Sequence, residues 1–418
     1  MADLTNVQAL MSTIQDAVKT KFDKTKLLYV NKFEGSAARM VTDTFSWVLQ
    51  EEDFGNSPIV ASAQDSPVAG QGDYSQYIAG AVETRHVKAF TRDQLRAVLT
   101  PDKAYRVDAT RHIARESFNQ VARVYSTMEF VANSCIVDGT LKYVSNEENN
   151  RMNVSLTFPI KTNTAPVLWS HQTSSKYDAD IFTQVQTWLD EFALSGQGVP
   201  DVMRMTTNVW RYIRDNDNVK TYFANVRYGK ADTKGGVITR EMVAEAFGWP
   251  TIELYDERAM LKFTASSAGA KNGSRVITLK EGTFGLRVGD KMLVRYANGS
   301  WASEVPITAI SDGISVTLTL ADADSNAIAV GDVLVAKPTY FPQNKVLFAS
   351  NERSNVELVR CPFGIETSGG EIKLTDWYGL RIDAFEKSSE PGLAVYRRVW
   401  DKFGWRFNPR AFMSCTVL

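Results

Sequence analysis

From Ala114 to Cys135 the residues Ala114, Phe118, Val121, Tyr125, Met128, Ala132 and Cys135 recur at steps of four and three, the repeat of one helical face. The run begins behind Thr100-Pro101-Asp102, where a proline suits a first helical turn, and Asp138-Gly139 stops it. The spacing predicts a helix over Ala104 to Val137, roughly 50 Å long at 1.5 Å per residue. Its side chains are mixed in size and lack regular flanking charge pairs, which fits a spine packed on a sheet better than a coiled-coil seam.

Around this helix the pattern alternates between periods. Val7, Leu10, Met11, Ile14 and Val18 predict an amphipathic helix followed by Lys19, Lys21, Lys24 and Lys26. That pattern fits a helix packed on its own domain and an arm packed on a neighbouring copy equally well. Phe45–Leu49 and Val87–Phe90 read as strands. Between them, Phe54 to Tyr74 is rich in Gly, Ser, Ala and Pro and poor in charge, and a structureless loop of that length is unusual inside a compact domain. An extended two-stranded loop reaching over another copy is favoured over a plain loop. Its candidate contacts are Ile59, Val60, Val68, Tyr74 and Tyr77, apolar groups that such a loop cannot bury within its own domain.

Val154–Ile160 alternates as a strand. Asp180–Phe192 reads as a helix with Ile181, Val185, Trp188 and Leu189 inward, and Gly196, Gly198 and Pro200 break it. Val202–Met205 then reads as a buried strand, Val209, Trp210 and Ile213 as the inner face of a further helix, Glu241–Phe247 as a helix and Thr251–Tyr255 as a strand. The class is mixed α and β. From Thr264 to Pro338 the composition turns to Gly, Ser, Thr, Val and Ala, with turn signals at Asn272-Gly273, Asn298-Gly299 and Asp312-Gly313. An echo runs through it: Val276–Leu279, Val288-Gly289-Asp290 and Met292–Val294 return as Val316–Leu320, Val330-Gly331-Asp332 and Val333–Val335. This stretch reads as a small inserted β-barrel or sandwich whose ends lie close together. Tyr340–Leu418 is rich in strands, with a hairpin or strand corner at Asp401–Pro409 and a closing strand at Ala411–Leu418.

The chain has 418 residues, 44% hydrophobic and 23% charged, which bounds it to two or three globular domains. No apolar run approaches the ~18 residues of a spanning helix, and no secretory signal opens it, so it is expected to stay in the cytoplasm of the cell that makes it, off the membrane. A net charge of −1 gives no bulk attraction to nucleic acid and leaves both signs available for contacts between copies. Cys135, Cys361 and Cys415 are widely spaced and read as buried small apolar residues. His86, His112 and His171 are scattered. No Walker loop, GxGxxG, GxSxG or HExxH occurs, so no enzyme activity, cofactor or metal is expected. Glu51-Glu52-Asp53 reads as a solvated strand end. Arg85, Lys88, Arg92 and Arg96 fit an exposed face and a site for a neighbour's carboxylates or a phosphate equally well.

Several passages together resemble the major head proteins of tailed bacteriophages, in particular the lambda-like major capsid family with the Hong Kong 97 type fold. They are Asp178-Ala-Asp-Ile181, Val199-Pro-Asp-Val202, Asn208-Val-Trp210, Trp249–Asp256, Phe341–Phe348 and Asn408–Ser414. The resemblance spans nearly the whole chain apart from Thr264–Pro338. It implies an α+β capsid fold with an N-terminal arm at 1–40, an extended E loop with flanking strands at 41–99 and a peripheral domain with the spine helix at 100–200. An axial domain is implied at 201–263 and 339–370, interrupted by the β domain at 264–338, and C-terminal strands at 371–418 return to these sheets.

The implied role is a major capsid protein in the virion, assembled in the bacterial cytoplasm as hexamers and pentamers of itself around double-stranded DNA held without sequence specificity. Portal, scaffolding and decoration proteins are the further partners implied. Relatives that cross-link use a lysine on the E loop, and none lies between Phe54 and His86, so cohesion is expected to be non-covalent. No long acidic segment precedes the arm, so a separate scaffold or none is expected. An encapsulin-like compartment, and a tail or adhesion protein that binds ligand through the β domain, stay open as alternatives.

Overall fold

In the computed structural model the described residues are 23–50, 74–91, 93–94, 103–147, 150–173, 175–194, 198–224, 238–267, 273–296, 299–301, 304–320, 328–362, 364–368, 371–375, 378–385 and 394–418. The helix expected around Val7–Val18, the acidic run Glu51–Asp53 and most of the expected loop lie outside them. The chain divides into two compact units, one of Met1–Thr25, Val30–Met128 and Asn355–Asn408, the other of Lys26–Tyr29, Glu129–Ser354 and Pro409–Leu418.

The first unit is organised by one long strand, Ala394–Arg406. Val82–Thr91 pairs antiparallel with it from Ala394 to Phe403. Arg381–Phe385 and Glu357–Arg360 pair with it on successive stretches, and Ala38–Arg39 adds a short parallel edge. Successive strand residues point to opposite faces, so Val395, Arg397, Val399, Asp401, Phe403 and Trp405, all buried, share one face. The long helix Lys103–Asn133 lies along it, with Gln120 Nε2 donating to Arg397 O and Trp405 Nε1 donating to Met128 O, each at 3.3 Å.

A hairpin at Asp401–Pro409 is therefore a correction: the strand runs through to Arg406, and the corner comes only at the end of the passage, where Pro409–Ala411 turns the chain into Phe412–Thr416. Gly404 makes room here. A Cβ on it would sit 2.4 Å from the Phe45 ring, so glycine admits an aromatic ring against the strand backbone.

Of the periodic helix positions, Val121, Tyr125, Met128, Ala132 and Cys135 are buried, while Ala114 and Phe118 are half-buried. Val124, Phe130, Val131 and Ile136 are buried as well, so the C-terminal turns are enclosed on more than one side. The helix closes in a π turn, Ser134–Asp138, capped by Gly139 at φ 67°.

In the second unit a five-stranded sheet has the order Thr251–Leu254, Val202–Met205, Lys345–Ala349, Phe412–Thr416, Lys161–Thr164. The helices Ile181–Phe192, Thr207–Asp215 and Arg240–Phe247 pack into one apolar cluster with it, in which Trp169, Val185, Trp188, Met203, Trp210 and Phe348 meet. Residues on both sides of position 200 share this core, so the chain does not divide there. A further hairpin pairs Thr140–Glu147 with Asn150–Thr157. The sequence reading missed its first strand.

The resembling passages contain residues that cap these helices. Asp180 accepts from Thr183 N at 3.1 Å, and Asp256 accepts from Thr207 N at 2.8 Å, which satisfies donors that a helix start leaves open. Asp201 accepts from Asn351 N at 2.9 Å in the same way.

The inserted stretch is a closed barrel of six strands: β1 (Leu261–Thr264), β2 (Gly273–Thr278), β3 (Lys291–Arg295), β4 (Val305–Ser311), β5 (Ser315–Leu320) and β6 (Val333–Ala336). Their order is β1-β6-β3-β4-β5-β2. Beyond the ends of β1 and β2, Ala265 bridges Leu279, and Ser266 N donates to Thr278 O at 2.8 Å, so the two edges meet. Closure removes the unpaired edges that an open sheet of this size would expose. Phe263, Ile277, Met292, Val316 and Leu334 fill the interior. Arg258 bridges Thr339 where the chain enters and leaves.

The sequence echo is a structural duplication. Gly289 N donates to Ile307 O and Gly331 N to Ala265 O, at 2.8 and 2.9 Å. Asp290 accepts from Arg287 N and Asp332 from Ala329 N, at 2.7 and 2.8 Å, and the two glycines have φ of 93° and 95°. Both Val-Gly-Asp segments make the same turn, for which a glycine at positive φ is suited.

Candidate interaction surface

Thr44–Gln50 and Tyr74–Gly80 form a two-stranded ribbon in the first unit, with Phe45 opposite Ala79, Trp47 opposite Tyr77 and Val48 opposite Gln76. One face is anchored. Phe45, Trp47 and Ala79 are buried, Trp47 Nε1 donates to Phe407 O at 3.0 Å, and the Phe45, Trp47 and Tyr77 rings stack in succession at 5.8 and 5.6 Å. The other face is uncovered: Val48, 55% exposed, and Ile78, 66% exposed, stand there among the exposed polar residues Thr44, Ser46 and Gln76.

Of the residues expected to reach a neighbour, Ile59, Val60 and Val68 lie outside the described residues, as does the Tyr74 side chain. Tyr77 is half-buried on Trp47. The outward positions Val48 and Ile78 were not singled out in sequence, though the period-2 alternation around Trp47 carried the signal.

A cavity of about 450 Å³ opens in the same unit between Lys24, Glu34, Arg39, Tyr125, Arg360 and Tyr378. Glu34 accepts from Tyr125 Oη at 2.8 Å and Arg360 Nη2 at 3.3 Å, and pairs with Lys24. Arg360 Nη1 lies 2.5 Å from Asp401 Oδ2. Burial pushes the Asp401 carboxyl up to about 6 against the pull of Arg360, and burial with the adjacent Glu34 carboxylate raises the Tyr125 hydroxyl.

In the second unit Glu129 is wholly buried in the long helix. It accepts from Tyr29 N at 3.2 and 3.1 Å through its two oxygens, from Tyr255 Oη at 2.9 Å and from Asn133 Nδ2 at 3.3 Å. Arg204 pairs there with Glu253 at 2.7 Å. These are satisfied structural charges.

Among the described residues no three His, Cys, Asp or Glu side chains converge as a metal site, and no helix is long and apolar enough to cross a membrane. Cys135, Cys361 and Cys415 are buried, and burial raises all three thiols, Cys361 to about 11. His171 Nδ1 meets Asp178 Oδ1 at 2.8 Å on an exposed hairpin.

No protein-family model and no curated protein matches the chain. Among solved structures it is similar to a prophage protein of E. coli CFT073, named for an expected capsid role, at 10% identity and a TM-score of 0.46 over 98% of this chain and 99% of that one. It is also similar to a phage-related protein from Bordetella bronchiseptica RB50, at 11% identity and 0.42 over 97% and 96%. The capsid of Myoviridae phage XM1 matches at 7% identity and 0.41 over 92% and 90%.

Proposed function

We propose that this chain is a shell subunit of the major capsid type, copies of which associate as hexamers and pentamers into an icosahedral shell around double-stranded DNA in the virion of a tailed phage. The observation that carries the reading is the ribbon with one face anchored by Phe45 and Trp47 and the other presenting Val48 and Ile78 to solvent. Two exposed apolar side chains projecting from one anchored ribbon favour association, because their apolar area is removed from water when another chain lies on it.

The sequence resemblance and the near-zero net charge support the same reading. Many contacts of modest size, each reversible, then add up to a stable shell. Portal, scaffolding and decoration proteins are further partners in this account, and DNA is held without sequence specificity.

The double variant Val48→Asp, Ile78→Asp tests it. Both side chains are exposed, so the subunit should keep the melting temperature of the parent while losing closed particles in electron micrographs. Normal particle yield from this variant would remove the ribbon from the account.

A further inference from the structure

We infer that the cavity beside Arg360 receives a carboxylate side chain from a second copy of this chain, and that Arg39 is the residue that grips it. The inference rests on the shell-subunit reading, since it requires copies lying side by side.

Charge accounting around the cavity gives the sign of the occupant. Lys24, Arg39 and Arg360 line it together with Glu34, and Asp401 stands behind Arg360. Both carboxylates are already engaged: Glu34 by Lys24, Tyr125 and Arg360, and Asp401 by Arg360. Three cations against two carboxylates leave one positive charge uncompensated. That surplus sits on Arg39. Among the described residues Arg39 makes no hydrogen bond and no ion pair, and its guanidinium lies over the Tyr378 ring at 5.5 Å. A guanidinium held against an aromatic face keeps its donors in one plane, the fork that takes a carboxylate through two parallel hydrogen bonds.

The backbone at the cavity floor and the volume of the cavity fit such an occupant. Gly379 has φ 87°, where a side chain is strained, and a Cβ there would lie 2.7 Å from Arg360 Nη1 and press on the guanidinium that holds Asp401. A volume of about 450 Å³ falls in the range of specific ligand sites.

One surplus charge matches one carboxylate. A nucleic-acid backbone calls for a stripe of cations and is disfavoured by the carboxylate that lines this cavity. A chain with 48 acidic against 47 basic residues supplies acidic side chains on every copy, and a paired charge at a contact fixes register and partner choice.

The test uses Arg39→Lys, which keeps the charge and adds an amine. Unlabelled and ¹⁵N-labelled copies of the variant are mixed before assembly, and the particles are treated with a water-soluble carbodiimide and analysed by peptide mass spectrometry. The Lys24–Glu34 pair serves as the internal control for coupling within a copy. The expected result is an amide from position 39 to an Asp or Glu of the differently labelled copy, together with a particle yield for Arg39→Glu at least about tenfold lower than the parent at an unchanged subunit melting temperature.

Coupling of position 39 only within its own copy, or no coupling in intact particles, overturns the inference. In a second arm, unassembled parent and Arg39→Gln subunits are titrated with acetate. An Arg39-dependent rise in melting temperature without any link between copies assigns the site to a free anion and removes the second copy. Absence of particles from the parent chain would instead overturn the shell reading, and particles without the link overturn the cavity assignment alone.

Discussion

Leu293 and Val335 face each other across β3 and β6, and they occupy the same position in the two halves of the barrel. The offset that relates them also takes Ala265 to Ile307, Gly289 to Gly331 and Asp290 to Asp332. A pseudo-twofold axis therefore passes through this pair, and on the opposite wall it passes between the pairs Arg275–Leu318 and Val276–Thr317. Half a barrel, β1 to β3, leaves two open edges and an open core, so stability comes from the two halves together.

Because this core is its own and the chain enters and leaves between Arg258 and Thr339, with Ala259 N donating to Pro338 O at 3.0 Å, residues 258–339 should fold when excised. The fragment is expected to be a monomer with a single cooperative thermal transition by circular dichroism. A non-cooperative, featureless melt would show that the barrel depends on the rest of the chain.

Gly282 should be far less replaceable than Gly289. Both have positive φ, 75° and 93°, but a Cβ at Gly282 would lie 1.8 Å from Val144 O, whereas one at Gly289 meets nothing within 4 Å. Gly289→Ala should cost about 1–2 kcal/mol, the left-handed strain alone, and Gly282→Ala clearly more. Denaturant midpoints of the two variants compare them directly, and equal losses would contradict the packing of this turn on Val144.

Arg397 should be replaceable at a gain. It is wholly buried on the face of Ala394–Arg406 that carries the long helix, none of its three guanidinium nitrogens has a hydrogen-bond partner among the described residues, and burial lowers its pKa to about 10. Removing a charge that burial strips of water without compensation is stabilising, so Arg397→Met should raise the unfolding free energy by about 1–3 kcal/mol. A loss of stability in denaturant titration would mean that the guanidinium is compensated.

His86 should make the first unit sensitive to acid. Burial, with Arg123 and Lys88 adding to it and Glu116 opposing, lowers its pKa from 6.5 to about 4. Between those values the unfolded chain holds a proton that the folded chain refuses, so this stability is present above the unfolded value and is lost as pH falls through the window. His86→Gln should therefore lose less melting temperature than the parent between pH of about 7 and about 4.5. Asp401, raised to about 6 by burial, acts in the opposite sense in both proteins, so the difference isolates His86. Identical pH profiles would sink the assignment.

Much of the fold was legible where one period dominates. The helix at Lys103–Asn133, the strand Val202–Met205 and the helix Thr207–Asp215 follow from spacing, and the Val-Gly-Asp echo marked the barrel's symmetry because each copy needs the same glycine turn. At Gly404 the sequence is silent, because a glycine that admits a ring and a glycine that turns a chain look alike in it. Glu129, Arg204 and Arg397 escaped notice because the partners that bury a charge, or fail to, are set by tertiary packing. The Arg39 cavity is likewise assembled from segments far apart in sequence.

The most direct test of the shell-subunit account is electron microscopy of the purified, expressed chain. Closed icosahedral particles, dissociable on a denaturing gel without a ladder of covalent oligomers, are the predicted result. Discrete small oligomers or fibres under the same conditions would contradict it.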